Sequence, residues 1–400
     1  MREPGFLQLW VLGGLNSTGR WLEALVIAVF VLDRTGSPLL VAAMLMLRLL
    51  PMALFGAFGG VIAQRFARLS ILRLASLLIV CSALLQALAA SAGALQVWHV
   101  ALGSFLSGIA WSTDFPVRRT LLGDIAGADR VSRAMSLDIL VGAFTRTVGP
   151  LLGGYLYQRI GLPGAFLLAA TFYACGGLLL VFGRIPDLGS AATEVAGTSL
   201  FAGLRQGVRA LQTSRTLPGI FVVTLIFNLW AFPFFSMVPV YAREVLGLDA
   251  AGVGLLVSVE GAGALLGAAG LALWARSEHS RYLYVFGVLG YCLFALLIVQ
   301  SAVFWLACAL LLLAGIASAA FGAMQSALVL MNAPVNFERQ MMGLLSVVIG
   351  TAPIGFLHIG LLADWLGVVA ACTLVAVEGL VAMAWALWRW PRLLSVQSVR

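Results

Sequence analysis

Long apolar runs, separated by short polar segments, dominate the pattern of the chain. Apolar and polar residues do not alternate within these runs, so the pattern favours membrane helices over the strands of a β-barrel. A helix needs about 20 apolar residues to cross the hydrocarbon core of a bilayer. The sequence therefore predicts an all-α membrane protein with twelve transmembrane helices, near residues 6–32, 37–63, 70–93, 95–119, 132–158, 162–183, 217–243, 250–274, 282–302, 304–331, 339–364 and 367–390.

The longest polar stretch lies in the middle of the chain, at residues 184–216. Within it, Ser199–Thr213 carries leucine and valine on one helical face and Arg205 and Arg209 on the other, which predicts a helix lying on the membrane surface. The stretch separates six predicted spans from six. We therefore expect an N-terminal six-helix bundle at 1–183, a cytoplasmic linker with an amphipathic helix at 184–216 and a C-terminal six-helix bundle at 217–400.

Composition and charge agree with a membrane protein. Charged residues make up 10% of the chain, against roughly 25% in soluble domains. The net charge of +8 comes from arginines placed mostly between the apolar runs, so it indicates membrane topology and not binding to nucleic acid. With the N-terminus inside, 18 of the 24 arginines fall in cytoplasmic segments and only Arg34, Arg159 and Arg243 fall outside. This predicts that both termini are cytoplasmic.

The two halves of the chain resemble each other at a constant offset. Leu106–Ala110 recurs as Leu313–Ala317, and Gly149 recurs as Gly355, at offsets of 206 to 207 residues. An even number of spans per repeat makes the halves parallel, an arrangement known from transporters whose halves rock around a central cavity.

Several segments carry a resemblance to a known family. Gly60–Arg68 is similar to the loop motif Gly-x-Leu-x-Asp-Arg-x-Gly-Arg of the major facilitator superfamily, with Gln64 in place of the aspartate. Residues 116–137 and 335–343 resemble the enterobactin-exporter-like, multidrug efflux branch. The resemblance implies the major facilitator fold, with two pseudo-symmetric six-helix bundles, and secondary active transport by alternating access.

A second family motif lies in the fifth span. Gly149, Pro150, Gly153 and Gly154 match the core of the antiporter motif, which the family associates with export by antiport. The alternative is ordinary tight packing, because small residues let helices approach closely.

In the family, the aspartate of the loop motif helps to latch the two halves on the cytoplasmic side. Gln64 replaces it here, so we expect Asp114 to pair with Arg65 or Arg68 in its place, with Arg118 beside it. The alternative is that these charges only set the topology.

Ionisable residues inside the spans are candidates for proton coupling, because each costs about 2.5–3.5 kcal/mol to insert. A carboxylate in a low-dielectric cavity binds a proton more readily than one in water, and a nearby arginine opposes this. Glu23, near Arg20 or Arg48, is the leading predicted proton carrier; a static ion pair that fixes helix packing is the alternative. The further candidates for the proton carrier are Asp138, which has Arg146 two turns away, Glu260 and Glu378.

Polar and aromatic residues within the spans are candidates for lining a substrate cavity, with lipid contact or packing as the alternative. They are Asn16, Trp21, Trp111, Asn228, Trp230 and Phe234.

Motifs of other protein classes do not occur in the sequence. It has no P-loop and no Gly-x-Ser-x-Gly, and its five cysteines lack ligand spacing. We expect no catalytic residue, no metal site and no cofactor, and hence no enzyme. The expected partners are a small-molecule substrate, protons and the lipid bilayer of a bacterial inner membrane, with the protein as a monomer and without nucleic acid.

The predicted function is proton-coupled export of amphipathic small molecules such as drugs or siderophores. A transporter of lysophospholipids or other lipid-like substrates is the alternative, and a polytopic membrane enzyme or sensor is a remote one.

Overall fold

The computed structural model describes residues 4–65, 67–127, 130–183, 185, 211, 214, 216–274, 277–334 and 337–394. Regular structure within these ranges is helical throughout, as the apolar runs predict. The predicted surface helix at Ser199–Thr213 lies outside the described residues, apart from Leu211.

Within the described residues of the first half there are five helices. They are α1 (Pro4–Thr35), α2 (Pro38–Arg65), α3 (Arg68–Ser91), α4 (Val97–Ala126) and α5 (Val131–Phe182). Gly161 interrupts α5 with φ 71° and ψ −179°, a backbone conformation that glycine adopts without a steric penalty. Because of this break, α5 contains two of the predicted spans.

In the described part of the second half there are eight α-helices, a short π-helical turn and two 3-10 turns, Ser277–His279 and Pro391–Leu394. In chain order, the α-helices and the π-turn are α6 (Leu217–Ile226), the π-turn Phe227–Ala231, α7 (Phe234–Glu244), α8 (Ala250–Trp274), α9 (Ser280–Val299), α10 (Phe304–Asn332), α11 (Glu338–Ile349), α12 (Ala352–Leu366) and α13 (Val368–Arg389). Gly367, between α12 and α13, has φ 83° and lies 206 residues after Gly161. The sequence repeat therefore places a left-handed glycine at the same joint in each half.

Nine stretches of the described chain are long and apolar enough to cross a membrane. One of them, Arg133–Phe182, has 50 residues and contains the break at Gly161, so it supplies two crossings. The 28-residue α2 and the 30-residue α4 complete the predicted set. The prediction of an all-α membrane fold is confirmed, and the described helices are long enough for the twelve predicted spans.

Contacts divide the chain into two compact units, one of residues 1–193 with 247–258 and the other of residues 194–246 with 259–400. In the first unit, α1 packs mainly on α5, α2 packs on α4, and α3 packs on both α4 and α5. In the second unit, α9 packs on α10 and α13, and the π-turn packs on α13. The expected boundaries at 183 and 217 stay a prediction.

Glycines allow the helices of the first unit to approach closely. A Cβ on Gly108 of α4 would overlap the carbonyl oxygen of Arg48 in α2. A Cβ on Gly149 would lie 2.5 Å from Cβ of Trp21, and one on Gly153 would lie 2.9 Å from the carbonyl oxygen of Leu22. Two glycines of the span-5 motif thus hold α5 against α1, the helix that carries Glu23.

We predict that Gly108→Ala destabilises the protein, because the new methyl group meets backbone atoms that cannot move alone. The cost should be about 1–3 kcal/mol, typical of overpacking. Thermal unfolding of the purified protein in detergent measures it. Gly322→Ala in α10 is the matched control, since a Cβ there meets nothing within 4 Å. Equal stability of the two variants would show that the close α2–α4 contact does not constrain the fold.

Candidate functional site

Glu23 is the centre of a hydrogen-bonded cluster in the first unit. Its Oε2 accepts a hydrogen bond from Arg48 Nη2 at 3.0 Å and another from the Tyr173 hydroxyl at 3.0 Å. Its Oε1 accepts from Gln86 Nε2 at 3.3 Å. The carboxylate is 1% exposed, so four helices supply one buried acid and its donors.

Arg48 is held in place from two sides. Its Nη1 donates to the backbone carbonyl of Arg20 at 2.7 Å, while its Nη2 donates to Glu23. Its own carbonyl lies against Gly108 of α4. The structure therefore brings Glu23 together with Arg48, and it places the Arg20 guanidinium elsewhere.

Arg20 faces a small cavity in the same unit, together with Asn16, Trp111, Asp114 and Tyr173. Its Nη2 donates to Ser17 Oγ at 3.1 Å, and its Cζ lies 4.9 Å from the centre of the Trp111 ring. Cation–π contact of this kind stabilises a buried guanidinium. Because Tyr173 lines the cavity and also donates to Glu23, the cavity adjoins the ion pair.

A second charged cluster joins α4 to α5. Asp138 Oδ1 accepts from Arg118 Nη1 at 2.5 Å and its Oδ2 accepts from Arg119 Nε at 2.7 Å. Asp138 thus binds arginines of α4, whereas the sequence suggested Arg146 as its neighbour. The Arg146 guanidinium lies 5.5 Å from the Trp21 ring centre. The described ion pairs of Asp138 are therefore with α4, and Arg146 as its charge partner stays a prediction.

Of the two expected partners of Asp114, Arg65 or Arg68, the structure does not pair Arg68 with it. Arg68 Nη1 instead binds Asp124 Oδ2 at 2.5 Å, and Asp114 lies 3.8 Å from Arg118 Nε in its own helix. Asp124 is ten residues after Asp114, so at about 1.5 Å rise per residue the two differ in depth by roughly 15 Å. The side chain of Arg65 lies outside the described residues, so the latch that includes it stays a prediction.

The second unit contains a polar cluster around one carboxylate, that of Glu378. Glu378 Oε2 of α13 accepts from Trp230 Nε1 in the π-turn and meets His358 Nε2 of α12, both at 2.9 Å. The side chains of Glu378 and His358 are 34% and 41% exposed, far more than Glu23. This site therefore lies in a more open environment than the ion pair of the first unit.

The other candidates in the second unit are buried. Glu260 is fully buried in α8, and Asn228 of the π-turn donates to the carbonyl of Thr224 in α6 at 2.9 Å. Phe234 packs edge-on against Tyr291 with ring centres 6.4 Å apart.

Sequence reasoning missed Gln86 and Tyr173, which complete the shell of Glu23. Each is a polar group inside an apolar span, and that was the available signal. Neither is ionised at neutral pH, so the distribution of charged residues does not indicate them. Arg119 and Asp124 were also left out of the proposed pairings.

A sequence profile of the family described as transmembrane secretion effector matches residues 1–398. The chain belongs to this family. It is a multi-pass membrane transporter of the major facilitator type, as the loop and span-5 motifs predict. The resemblance given by the sequence is confirmed.

Curated relatives of the transporter carry names from the same class. It is 24% identical over 290 residues to the MFS-type transporter YfiS of Bacillus subtilis, an alignment covering 71% of this chain and 67% of that protein. It is 22% identical to the staphyloferrin A transporter of Staphylococcus aureus, over 57% of this chain and 56% of that one. Macrolide efflux protein A of Streptococcus pyogenes is 20% identical, over 57% and 55%.

Solved structures show the same fold. A POT family transporter in complex with 5-aminolevulinic acid has a TM-score of 0.77 at 14% identity, covering 98% of this chain and 97% of that one. A bacterial homologue of the human lysosomal transporter Spinster has a TM-score of 0.75 at 13% identity, covering 99% and 98%.

We predict that Arg48→Met alone destabilises the transporter by about 3–5 kcal/mol, because it leaves the Glu23 carboxylate buried without its cation. The double variant Glu23→Gln, Arg48→Met should recover part of that loss, since both charges are then gone. Thermal unfolding in detergent of the two single variants and the double variant gives the coupling energy. Strictly additive losses would mean that the pair contributes no interaction energy.

Proposed function

We propose that the transporter exports amphipathic small molecules from the cytoplasm in exchange for protons, and that Glu23 carries the proton. The observation behind this proposal is the buried cluster in which one carboxylate meets one arginine and two neutral donors. Intramembrane acids are costly to insert, and they persist where they serve a pathway or a partner.

The geometry suggests how protonation changes the cluster. Ionised Glu23 accepts from Arg48, Gln86 and Tyr173 at once. A proton on Oε2 removes the charge that holds Arg48 Nη2 and competes with the Tyr173 hydroxyl for the same oxygen. Arg48 keeps its bond to the carbonyl of Arg20, so its side chain stays hydrogen-bonded to the backbone of α1 while its contact with the Glu23 carboxyl group weakens.

Changes in this cluster reach several helices. Glu23 and Arg20 lie on α1, Arg48 on α2, Gln86 on α3 and Tyr173 on α5. Loss of the central charge therefore weakens contacts among four helices together. A ligand shifts a conformational equilibrium only if it binds the two conformations with different affinity. A proton-driven transporter therefore needs a link of this kind between proton binding and helix packing.

The substrate class is proposed from the cavity and from the relatives. The cavity combines the Trp111 ring and Ile79 with polar groups of Asn16, Arg20 and Asp114, which suits a molecule with apolar and polar parts. The relatives named for staphyloferrin A and for macrolides give two compound classes to test. Export, cytoplasmic termini and a monomeric state belong to the same proposal, the termini because of the arginine distribution.

The experiment uses the purified protein in liposomes with an imposed pH gradient and a panel of macrolides, siderophores and lysolipids. A gradient of about one pH unit supplies about 1.4 kcal/mol per proton, enough for roughly tenfold accumulation in a one-for-one exchange. We expect the wild type to approach that ratio for a macrolide or a siderophore.

Glu23→Gln should abolish gradient-driven accumulation while exchange at equal pH continues, because the amide cannot carry the proton. The matched control is Asp124→Asn, which removes a half-exposed carboxylate bound to Arg68. Unchanged gradient-driven accumulation by a well-folded Glu23→Gln protein would reject Glu23 as the carrier. Movement of lysolipids alone would reject the substrate class.

A further inference from the structure

Three polar side chains of the second unit meet at one oxygen atom near the middle of their spans. Trp230 Nε1 and His358 Nε2 each lie 2.9 Å from Glu378 Oε2. Glu378 lies at the middle of the 22-residue α13, and Trp230 lies at the middle of the 28-residue stretch Leu217–Glu244. Ionisable groups at such a depth are costly in a bilayer, and they mark functional sites.

Close backbone packing brings these side chains together. A Cβ on Gly355 of α12 would lie 2.6 and 2.7 Å from two carbonyl oxygens of the π-turn, and a Cβ on Gly379 of α13 would lie 3.1 Å from Cβ of Trp230. Both glycines therefore let a helix approach the π-turn closely. Glu378 directly precedes Gly379, and His358 follows Gly355 by about one helical turn. The two helices thus present an acid and an imidazole to the turn that carries the indole.

The partners of Glu378 differ from those of the acids in the first unit. Glu23 and Asp138 each bond to an arginine, a group that keeps its positive charge at any physiological pH. The bonded partners shown for Glu378 are an indole N–H, which has no charge, and an imidazole, which gains or loses one. The charge of this cluster therefore depends on one proton held between Glu378 and His358.

Other titratable groups on the packed elements do not replace this proton. Helix α6 and the π-turn contain none. On α9, Cys292 lies beside Gly379, and buried Tyr291 packs its ring against Phe227 with the centres 5.7 Å apart. Both are neutral in their protonated forms. The other titratable groups, with Asp364 of α12 among them, lie in the first or last five residues of their helices or in the 3-10 turn Pro391–Leu394.

A proton taken up from solution by the pair changes the bond to Trp230. Without that proton, Glu378 Oε2 is negatively charged and accepts charge-assisted bonds from the indole N–H and from Nε2–H of His358. With it, either the imidazole becomes a cation or the carboxyl group becomes neutral. In both forms the negative charge on Oε2 is compensated at His358, so the indole keeps a weaker bond to the same oxygen.

The π-turn is the element that this bond holds. The N–H of Phe232 donates to the carbonyl of Phe227 at 2.8 Å, five residues back in the chain. Turns of this type are rare and frequently lie at functional sites. Helices α6 and α7 join at this turn, so a weaker bond to Trp230 loosens the joint within the seventh span.

We propose that Glu378 and His358 form a proton-binding pair that controls how firmly the π-turn of the seventh span is held against α12 and α13. The deprotonated pair holds Trp230 strongly, and the protonated pair holds it weakly. Glu378 thereby adjusts helix packing to pH, a role separate from the proton assigned to Glu23. The pair acts in this way whether or not the transporter exports its cargo, so its test needs no cargo.

The test follows the indole and the imidazole of the purified protein in detergent while the pH is changed. The chain contains 3 histidines and 11 tryptophans, few enough for each signal to be assigned by substitution. Protein labelled with ring-¹³C histidine and 5-fluorotryptophan supplies both reporters. The signal lost in His358→Gln identifies the imidazole, and the signal lost in Trp230→Phe identifies the indole.

We expect both signals to change in one common step between about pH 5 and pH 8, the interval in which an imidazole ordinarily exchanges its proton. In Glu378→Gln the Trp230 signal should lose most of its shift, because a neutral amide oxygen carries no charge for the proton to compensate. The matched control is Asp364→Asn, an acid-to-amide change at an exposed position of α12, which should keep the full shift. Thermal unfolding checks that each variant is folded, and His358→Gln should lose the same shift if Glu378→Gln does not fold.

Three results would overturn the proposal. One is a Trp230 signal that stays constant while His358 passes through its step. Another is the absence of a step at His358, as expected of a static pair, and the third is an undiminished Trp230 shift in folded Glu378→Gln. The first two come from the unsubstituted residues at the pair and do not require a folded variant there. Failure of export in liposomes would reject the proposed function and leave these results as they are.

Discussion

The ion pair between Glu23 and Arg48 is the constraint on which the first unit depends. Two opposite charges lie in an apolar bundle, and their removal from water is compensated by their mutual attraction and by further hydrogen bonds. Gln86 and Tyr173 donate hydrogen bonds to the Glu23 carboxylate, and the Arg20 carbonyl accepts one from the Arg48 guanidinium. The same contacts that make the charges tolerable join four helices.

Glycines lie where the helices around this ion pair come closest to one another. Gly108 brings the backbone of α4 against Arg48, and Gly149 and Gly153 bring α5 against α1 next to Glu23. A Cβ on Gly19 would lie 2.7 Å from the Tyr173 ring, so that glycine makes room for the aromatic donor. In a bilayer, where apolar burial does not drive helices together, such close packing and hydrogen bonds between helices stabilise the bundle. The glycines therefore allow the close helix contacts through which the charged and polar side chains bond to one another.

The sequence predicted the number of spans and their type because hydrocarbon thickness fixes helix length. It also predicted Arg20 or Arg48 as the partner of Glu23, and the structure shows that the partner is Arg48, which lies at a similar depth. It did not predict Asp138 with Arg118, or Arg68 with Asp124, because these pairings depend on how far one helix is rotated and shifted against the next. Apolar periodicity is weak in spans that are apolar on every side, so rotation cannot be inferred from it.

We propose that Glu23 exchanges a proton with solvent as the cargo binds. Proton release into weakly buffered detergent solution can be followed with a pH-sensitive dye on addition of a macrolide or a siderophore that the transporter moves. We expect the wild type to release protons in proportion to the compound bound, and folded Glu23→Gln to bind the compound without this release. Equal release by the two proteins would show that Glu23 does not carry the proton.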